Sequence, residues 1–313
     1  MSQALLVASA LVPALLFLWF LCSRDRNPEP PGLVIRTFLL GALVTVPIVP
    51  VAMALEALGH GAMGVWGKAI VGAFLGAAIP EEGFKFLVLR LWVWRQKDFD
   101  EPMDGIVYGA AASLGFAALE NVMYVSEGGL SVATLRAVTA VPGHALTGVL
   151  MGYYAGRAKF GPPEERTRLL VRGLGAAIVV HGAYDMFLLT ATLWAFLALP
   201  VLLLQLLWAR RLIAEMRAEQ FATFPAEPIV IEALPAPTAV RSGWALAKIL
   251  VGGAGVTLGG LFLLGCALAL ADPKQRESAA LMGALIAVSL AGTAASLALF
   301  RAGLRGPFVE PAS

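Results

Sequence analysis

The sequence predicts an all-α polytopic membrane helix bundle, on three observations. Of its 313 residues, 59% are hydrophobic and only 14% are charged, and mean hydropathy is +0.79. A soluble domain usually sits near ~45–50% apolar and ~25% charged. The apolar residues fall into runs of the length that crosses hydrocarbon, about 20 residues. Those runs lack the strict alternation of apolar and polar residues that a membrane β-barrel requires.

Nine spans are predicted, at about 4–22, 33–55, 69–89, 103–125, 137–156, 173–191, 195–209, 246–271 and 279–300. The first is read as a retained helix, because no Lys or Arg precedes Arg24 and the run is longer than a usual signal core. The fourth carries Glu120, and the sixth carries His181 and Asp185, which lowers the hydropathy of both. The sixth and seventh share one apolar run, divided by a turn near Thr192–Trp194; without that turn the count is eight. Trp19, Trp66, Trp92, Trp94, Trp194, Trp208 and Trp244 all fall near a proposed end, where amphipathic indoles favour the headgroup level.

Basic residues predict the orientation. With the N-terminus outside, 18 of the 23 Lys and Arg residues fall on inside segments. Lys68, Arg136, Lys274 and Arg276 fall outside, and Lys85 lies within a span. That asymmetry predicts N-out, C-in. The domain reading is a membrane-embedded bundle over 1–209 with a motif core at about 69–190. A cytoplasmic linker over 210–242 follows, containing Pro225, Pro228, Pro235 and Pro237. A C-terminal transmembrane hairpin and tail occupy 243–313.

Several classes are excluded. Net charge is only +2, too weak for a nucleic-acid footprint. Cys22 and Cys266 lie in apolar runs and read as buried thiols, so no disulfide scaffold is present.

Four clusters place ionisable groups where hydrocarbon is expected. They are Pro80-Glu81-Glu82-Gly83-Phe84-Lys85, Phe116 to Glu120-Asn121, Pro142-Gly143-His144, and His181 to Asp185. One ionisable side chain at mid-membrane costs ~2.5–3.5 kcal/mol on insertion scales, so such groups need partners. Each cluster lies in a different span, which predicts one shared polar pocket. Pro80 suits the first turn of a new helical segment, where the helix dipole favours Glu81 and Glu82. Lys85 shares a face with both glutamates, and His181 with Asp185. Pro142-Gly143 is expected to interrupt the fifth span just before His144.

Two histidines with several carboxylates suit a hydrolytic metal site, in which three protein ligands leave a position for water. His144, His181 and Glu120 or Asp185 are candidate ligands for a divalent metal, zinc first. Glu81 or Glu82 is the candidate base, and Lys85 balances their charge. Asn121 is either a helix-packing amide or an oxyanion donor. A serine mechanism lacks a Gly-x-Ser-x-Gly elbow, and Asp185 has no second aspartate deep within a span. His60 reads as a solvated loop residue, Phe116 as packing, and Glu164 to Arg168 as a solvated loop. A lone histidine would read as a hydrogen-bonded core residue; the set together reads as functional.

At these residues the sequence resembles the PrsW family of intramembrane proteases. The order is Glu-Glu-x-x-Lys at Glu81, Glu82 and Lys85, then Phe-x-x-x-Glu-Asn at Phe116, Glu120 and Asn121, then His144, then His-x-x-x-Asp at His181 and Asp185. The resemblance implies a multi-pass protease of a bacterial-type cell membrane, acting on a membrane-anchored protein such as an anti-sigma factor. It also implies kinship with type II CAAX prenyl endopeptidases, in which a glutamate pair and a histidine activate water. Glu120 stands where those enzymes have histidine, and Asp185 where they have asparagine, which argues against prenyl-protein processing. Two other functions fit a buried Glu/His/Asp set: an ion- or proton-coupled transporter, or a non-catalytic binding or immunity protein on the same fold. The first should show paired broken helices in related halves, and none is legible. The second should have lost a motif residue, and none is missing. Oligomeric state has no signature in the sequence.

Overall fold

The computed structural model describes residues 3–59 and 64–223, with short pieces at 240–241, 294, 297–298, 301 and 308–309. The expected span at 246–271, nearly all of that at 279–300, Trp244, His60 and the prolines of the linker lie outside the described residues. The chain divides into two compact units. Residues 1–127 and 139–225 form the first, and residues 128–138 and 226–313 form the second. In the second, Val240 and Arg241 pair antiparallel with Val309 and Phe308. All candidate site residues belong to the first unit, whose described secondary-structure elements are all helices.

The first helix, α1, runs Gln3–Cys22, matching the first expected span. The second expected span is two successive pieces, α2 at Pro31–Leu43 and α3 at Thr45–Leu58. The break at Val44 has a cause in Pro47, which cannot donate to the Leu43 carbonyl four residues back and whose ring crowds it. The third runs from Val65 to Arg95: α4 (Val65–Ile70), a π-helical stretch (Val71–Ala78), α5 (Ile79–Leu87), then π and 3-10 turns to Arg95. The widened turn ends where Pro80 removes a backbone donor, and Pro80 opens α5 as its position suggests.

The next helix, α6, spans Pro102–Val138, well past the expected end at 125. Its axis breaks at Gly129, with φ 68° and ψ −159°, a conformation that glycine adopts without a Cβ clash. Helix α7 occupies Ala140–Phe160. The expected interruption at Pro142-Gly143 does not occur. Pro142 lies in the first turn of α7, where no donor is required, and the chain bends earlier, at Thr139 (φ −126°, ψ −73°).

Helix α8 (Arg166–Leu189) begins earlier than the apolar run, because Arg166, Arg168 and Arg172 extend it into the polar zone. The turn expected near Thr192 is present: Ala191 takes φ 49°, and the Thr192 hydroxyl accepts from the Trp194 amide. Helix α9 then runs Ala198–Thr223, so Arg210 to Thr223, the first part of the expected linker, are helical. Trp208 lies within α9.

Among the described residues, four helical stretches are long and apolar enough to cross a membrane: Pro31–Leu58, Pro102–Phe160, Pro163–Leu189 and Leu193–Gln220. Leu6–Cys22 is a shorter apolar helix. Within Pro102–Phe160, α6 and α7 correspond to two expected spans.

Small residues decide the packing. A Cβ on Gly152 would stand 2.0 Å from the Gly105 carbonyl oxygen, and one on Gly109 would stand 2.3 Å from that of Gly148. Helices α6 and α7 therefore touch backbone to backbone through glycines spaced by four, as small-xxx-small faces do in membranes. Gly115 makes the same approach to Phe38 on α2, where a Cβ would stand 1.8 Å from the carbonyl oxygen. Tyr108, Ile106, Leu114, Val149 and Leu150 fill the buried layer around this contact.

Candidate active site

The four polar clusters meet between α5, α6, α7 and α8. Glu81, Glu82 and Lys85 stand on the first turns of α5, and Lys85 and Glu82 are fully buried. His144 and His181 are also buried, on α7 and α8. One donor atom each from Glu81, Glu82, His144 and His181 lies within 4.8 Å of the others.

Glu82 Oε1 is the hub. It accepts from Lys85 Nζ at 2.7 Å, lies 2.7 Å from His181 Nδ1, and is within 3.3 Å of the Thr147 hydroxyl. Lys85 Nζ also stands 3.2 Å from His144 Nδ1 and 4.4 Å from the Phe116 ring centroid. An ammonium has only donors, so His144 Nδ1 accepts. His144 Nε2 then carries the proton toward Glu120 Oε2 at 2.9 Å. The two imidazoles meet edge to face with centroids 5.2 Å apart.

Glu120 and Asp185 stand one step outward. Each holds the outer nitrogen of a histidine, with Asp185 Oδ2 3.0 Å from His181 Nε2. Their side chains are 14% and 25% exposed, against 0% for Glu82, so the site is less enclosed on this side. Asn121 does not join the converging donors. It is fully buried, and its Nδ2 donates to the Ala10 carbonyl on α1 at 3.3 Å. The expected Glu164–Arg168 loop is a 3-10 turn ending at Glu165 and the first residues of α8, with an exposed Arg168–Glu165 ion pair.

Sequence reasoning passed over one neighbour, Thr147, and read a second, Phe116, as packing. Thr147 is one helical turn after His144, and its hydroxyl also reaches the His144 carbonyl at 3.0 Å. That i, i+3 spacing was the available signal. Phe116 packs its ring on both His144 and Lys85, with the Phe116–His144 centroids 5.2 Å apart. Its position four residues before Glu120, on the same face, was the corresponding signal.

Two oxygens in this pocket remain over. Glu81 Oε2 and Glu82 Oε2 are buried and have no hydrogen-bond partner. Glu81 Oε2 lies 3.8 Å from both Lys85 Nζ and His181 Nε2, too far for a hydrogen bond. A buried carboxylate oxygen left unsatisfied is costly. Two of them beside two imidazoles form a mixed oxygen and nitrogen donor set that suits a divalent metal. The Glu/His group can therefore hold a metal.

Comparison with known proteins agrees with this chemistry. Residues 29–210 match the family described as PrsW family intramembrane metalloprotease. The chain is 35% identical over 196 residues to Protease PrsW of Bacillus subtilis, covering 62% of this chain and 88% of the relative. It is 37% identical over 205 residues to Protease PrsW of Geobacillus kaustophilus, covering 65% and 88%. Protease PrsW of Clostridioides difficile is 33% identical over 205 residues, covering 64% and 85%. No solved structure matches. The matched span contains every residue of the buried Glu/His group, and the chain belongs to the PrsW family of intramembrane metalloproteases.

Proposed function

We propose that this membrane peptidase hydrolyses a peptide bond of a membrane-anchored regulatory protein, of the anti-sigma-factor type. Water is activated between Glu81, Glu82, His144 and His181. The observation that carries the reading is the pair of unpartnered buried oxygens, Glu81 Oε2 and Glu82 Oε2, facing two histidines from two other helices. A divalent metal held there, zinc for this donor set, would polarise the scissile carbonyl and lower the pKa of water.

The chain's own residues divide the remaining work. Glu82 is held on one oxygen by Lys85, His181 and Thr147, which suits a fixed anchor and ligand. Glu81 makes only the two longer contacts and is the general base, taking the proton of the attacking water at Oε2 and passing it to the leaving amine. His144 and His181 present Nδ1 inward, while Glu120 and Asp185 hold Nε2 outward, fixing ring orientation. Lys85 offsets the glutamate charge in a medium without water. The half-open side at Glu120 and Asp185 is the route for water and substrate. The protein is multi-pass in a bacterial-type cell membrane, with the N-terminus outside, supported by the asymmetry of Lys and Arg.

The test is metal content by mass spectrometry together with cleavage of a tagged, co-expressed membrane-anchored anti-sigma factor. Wild type should hold about one zinc-type metal per chain, counted apart from calcium and magnesium, as a single catalytic centre requires, and cut. His181→Ala should do neither. Cleavage by wild type without stoichiometric metal would overturn the metal assignment.

A further inference from the structure

A second group of carboxylates converges at another place in the first unit. Asp25 follows α1, Glu29 precedes α2, and Asp104 stands in the first turn of α6. One oxygen from each lies within 4.8 Å of the other two. Asn27 Nδ2 donates to Glu101 at 3.2 Å, and Gln220 Nε2, near the end of α9, donates to Asp25 Oδ1 at 2.7 Å and to Glu101. The Tyr108 hydroxyl donates to Glu29. Asp104 Oδ2 accepts the amides of Asp100 and Glu101, both at 2.8 Å.

These donors do not satisfy the cluster. Asp104 is fully buried and Asp25 is 7% exposed, yet Asp104 Oδ1 and Asp25 Oδ2 have no hydrogen-bond partner. Gln220 Oε1, also buried, has none either. Lys159, whose charge acts on Asp104, already donates its ammonium to the carbonyls of Trp94 and Phe99. Glu29 and Asp104 stand within hydrogen-bonding reach of one another, which requires a proton between them in the absence of a cation; ionised together, buried carboxylates repel and remain desolvated. Burial and the neighbouring Asp25 and Asp100 push the Glu29 carboxyl up to about 7.

We propose that Asp25, Glu29 and Asp104 form a binding site for a hard divalent cation of the calcium type, with Gln220 Oε1 as a fourth oxygen ligand. The donor set is all oxygen, which selects Ca2+ or Mg2+ over zinc and separates this site from the Glu/His group. Ca2+ takes oxygens at ~2.3–2.6 Å, so ligand pairs up to about 5 Å apart fit around it. The ligands come from the end of α1, the start of α2, the start of α6 and the end of α9. A bound cation ties the last turns of α9 to the N-terminal helices. Since α9 packs on α7 and α8, the tie holds the helices that carry His144 and His181.

The test uses the full chain in detergent, stripped with chelator and then given CaCl2 alone. Wild type should bind one Ca2+ saturably and melt at a higher temperature. Asp25→Asn and Glu29→Gln should each weaken binding at least tenfold, while His181→Ala leaves it unchanged. Gln220→Glu gains a charged ligand, so it should bind more tightly and show a larger calcium-dependent rise in Tm, an effect that misfolding cannot mimic. No binding of Ca2+ or Mg2+ by wild type at millimolar concentration overturns the proposal. So does binding that survives both carboxylate variants or that disappears in His181→Ala. A calcium-insensitive protein that gains stability on acidification assigns the cluster to a shared proton, and also overturns it.

Discussion

Nδ1 of His181 lies 2.7 Å from Oε1 of Glu82, across 99 residues of sequence. That oxygen also accepts from Lys85, whereas the adjacent Glu81 makes no contact shorter than 3.8 Å to either Lys85 or His181. The two neighbouring glutamates are therefore held unequally, and their substitutions should fail in different ways. Glu81→Gln should retain metal and fold but lose cleavage by roughly 10²–10⁴-fold, the range of a missing general base. Glu82→Gln should lose both metal and cleavage. Metal content beside a cleavage assay separates them, and undiminished cleavage by both variants ends the assignment.

Glu120 and Asp185 contact the outer nitrogens of the histidines. Glu120→Gln and Asp185→Asn should weaken metal affinity by about 10–100-fold. Added metal should restore cleavage to these two variants and not to His144→Ala or His181→Ala. Chelator competition measures the affinity, and failure of excess metal to rescue would make these carboxylates direct participants.

Lys85 is fully buried and bonded to a fully buried carboxylate. Lys85→Met leaves Glu82 only His181 and Thr147 as partners, and breaking one side of a buried pair costs about 3–5 kcal/mol. The Lys85→Met, Glu82→Leu double variant should recover much of that stability while remaining inactive. Denaturation in mild detergent reads the difference, and a double variant no more stable than Lys85→Met would deny the pairing.

Gly152 allows α6 and α7 to meet at their backbones. Gly152→Ala places a methyl where only a carbonyl oxygen fits, so the helices must part. About 1–3 kcal/mol of stability should be lost, as for overpacking in general. Cleavage should fall with it, because α7 carries His144. A variant with wild-type Tm and activity would show that this contact is not the one that positions α7.

Burial pushes the Glu29 carboxyl up from its ordinary 4.5 to about 7. Asp25, Asp100, Asp104 and Tyr108 surround it. A carboxyl whose pKa is raised by folding stabilises fully below its ordinary value and loses that contribution as pH rises through the folded value. Chelator-treated protein should therefore lose stability between pH about 4.5 and about 7. Glu29→Gln should flatten that part of the profile in a thermal melt read against pH.

A reporter fused at residue 225 should read cytoplasmic, since most Lys and Arg residues fall on that side of the proposed topology. An outside reading would invert the orientation and require one span fewer or one more before residue 157.

Hydropathy and the cost of burying charge were enough to read helices, membrane and a shared pocket from the sequence, because both are local properties of the chain. A glutamate in an apolar run must find a partner whatever the fold. Lys85 was legible as the partner of Glu82 because three residues is less than one helical turn. Helix ends were less legible. Gly129 and Thr139 set the break between α6 and α7 by backbone conformation that hydropathy does not encode, and Arg166 to Arg172 lengthen α8 beyond its apolar core. Which carboxylate touches which histidine nitrogen was decided only by tertiary structure. Four helices can rotate about their axes without changing their sequence pattern, and it is the glycine contacts of α6 with α2 and α7 that limit α6 and α7. Glu120 and Asp185 accordingly stand behind the histidines, and Asn121 turns to Ala10. The Asp25, Glu29 and Asp104 cluster was invisible for the same reason: its members sit at ordinary polar helix ends, 79 residues separate Tyr108 from the Glu29 carboxylate it bonds, and 195 separate Gln220 from Asp25.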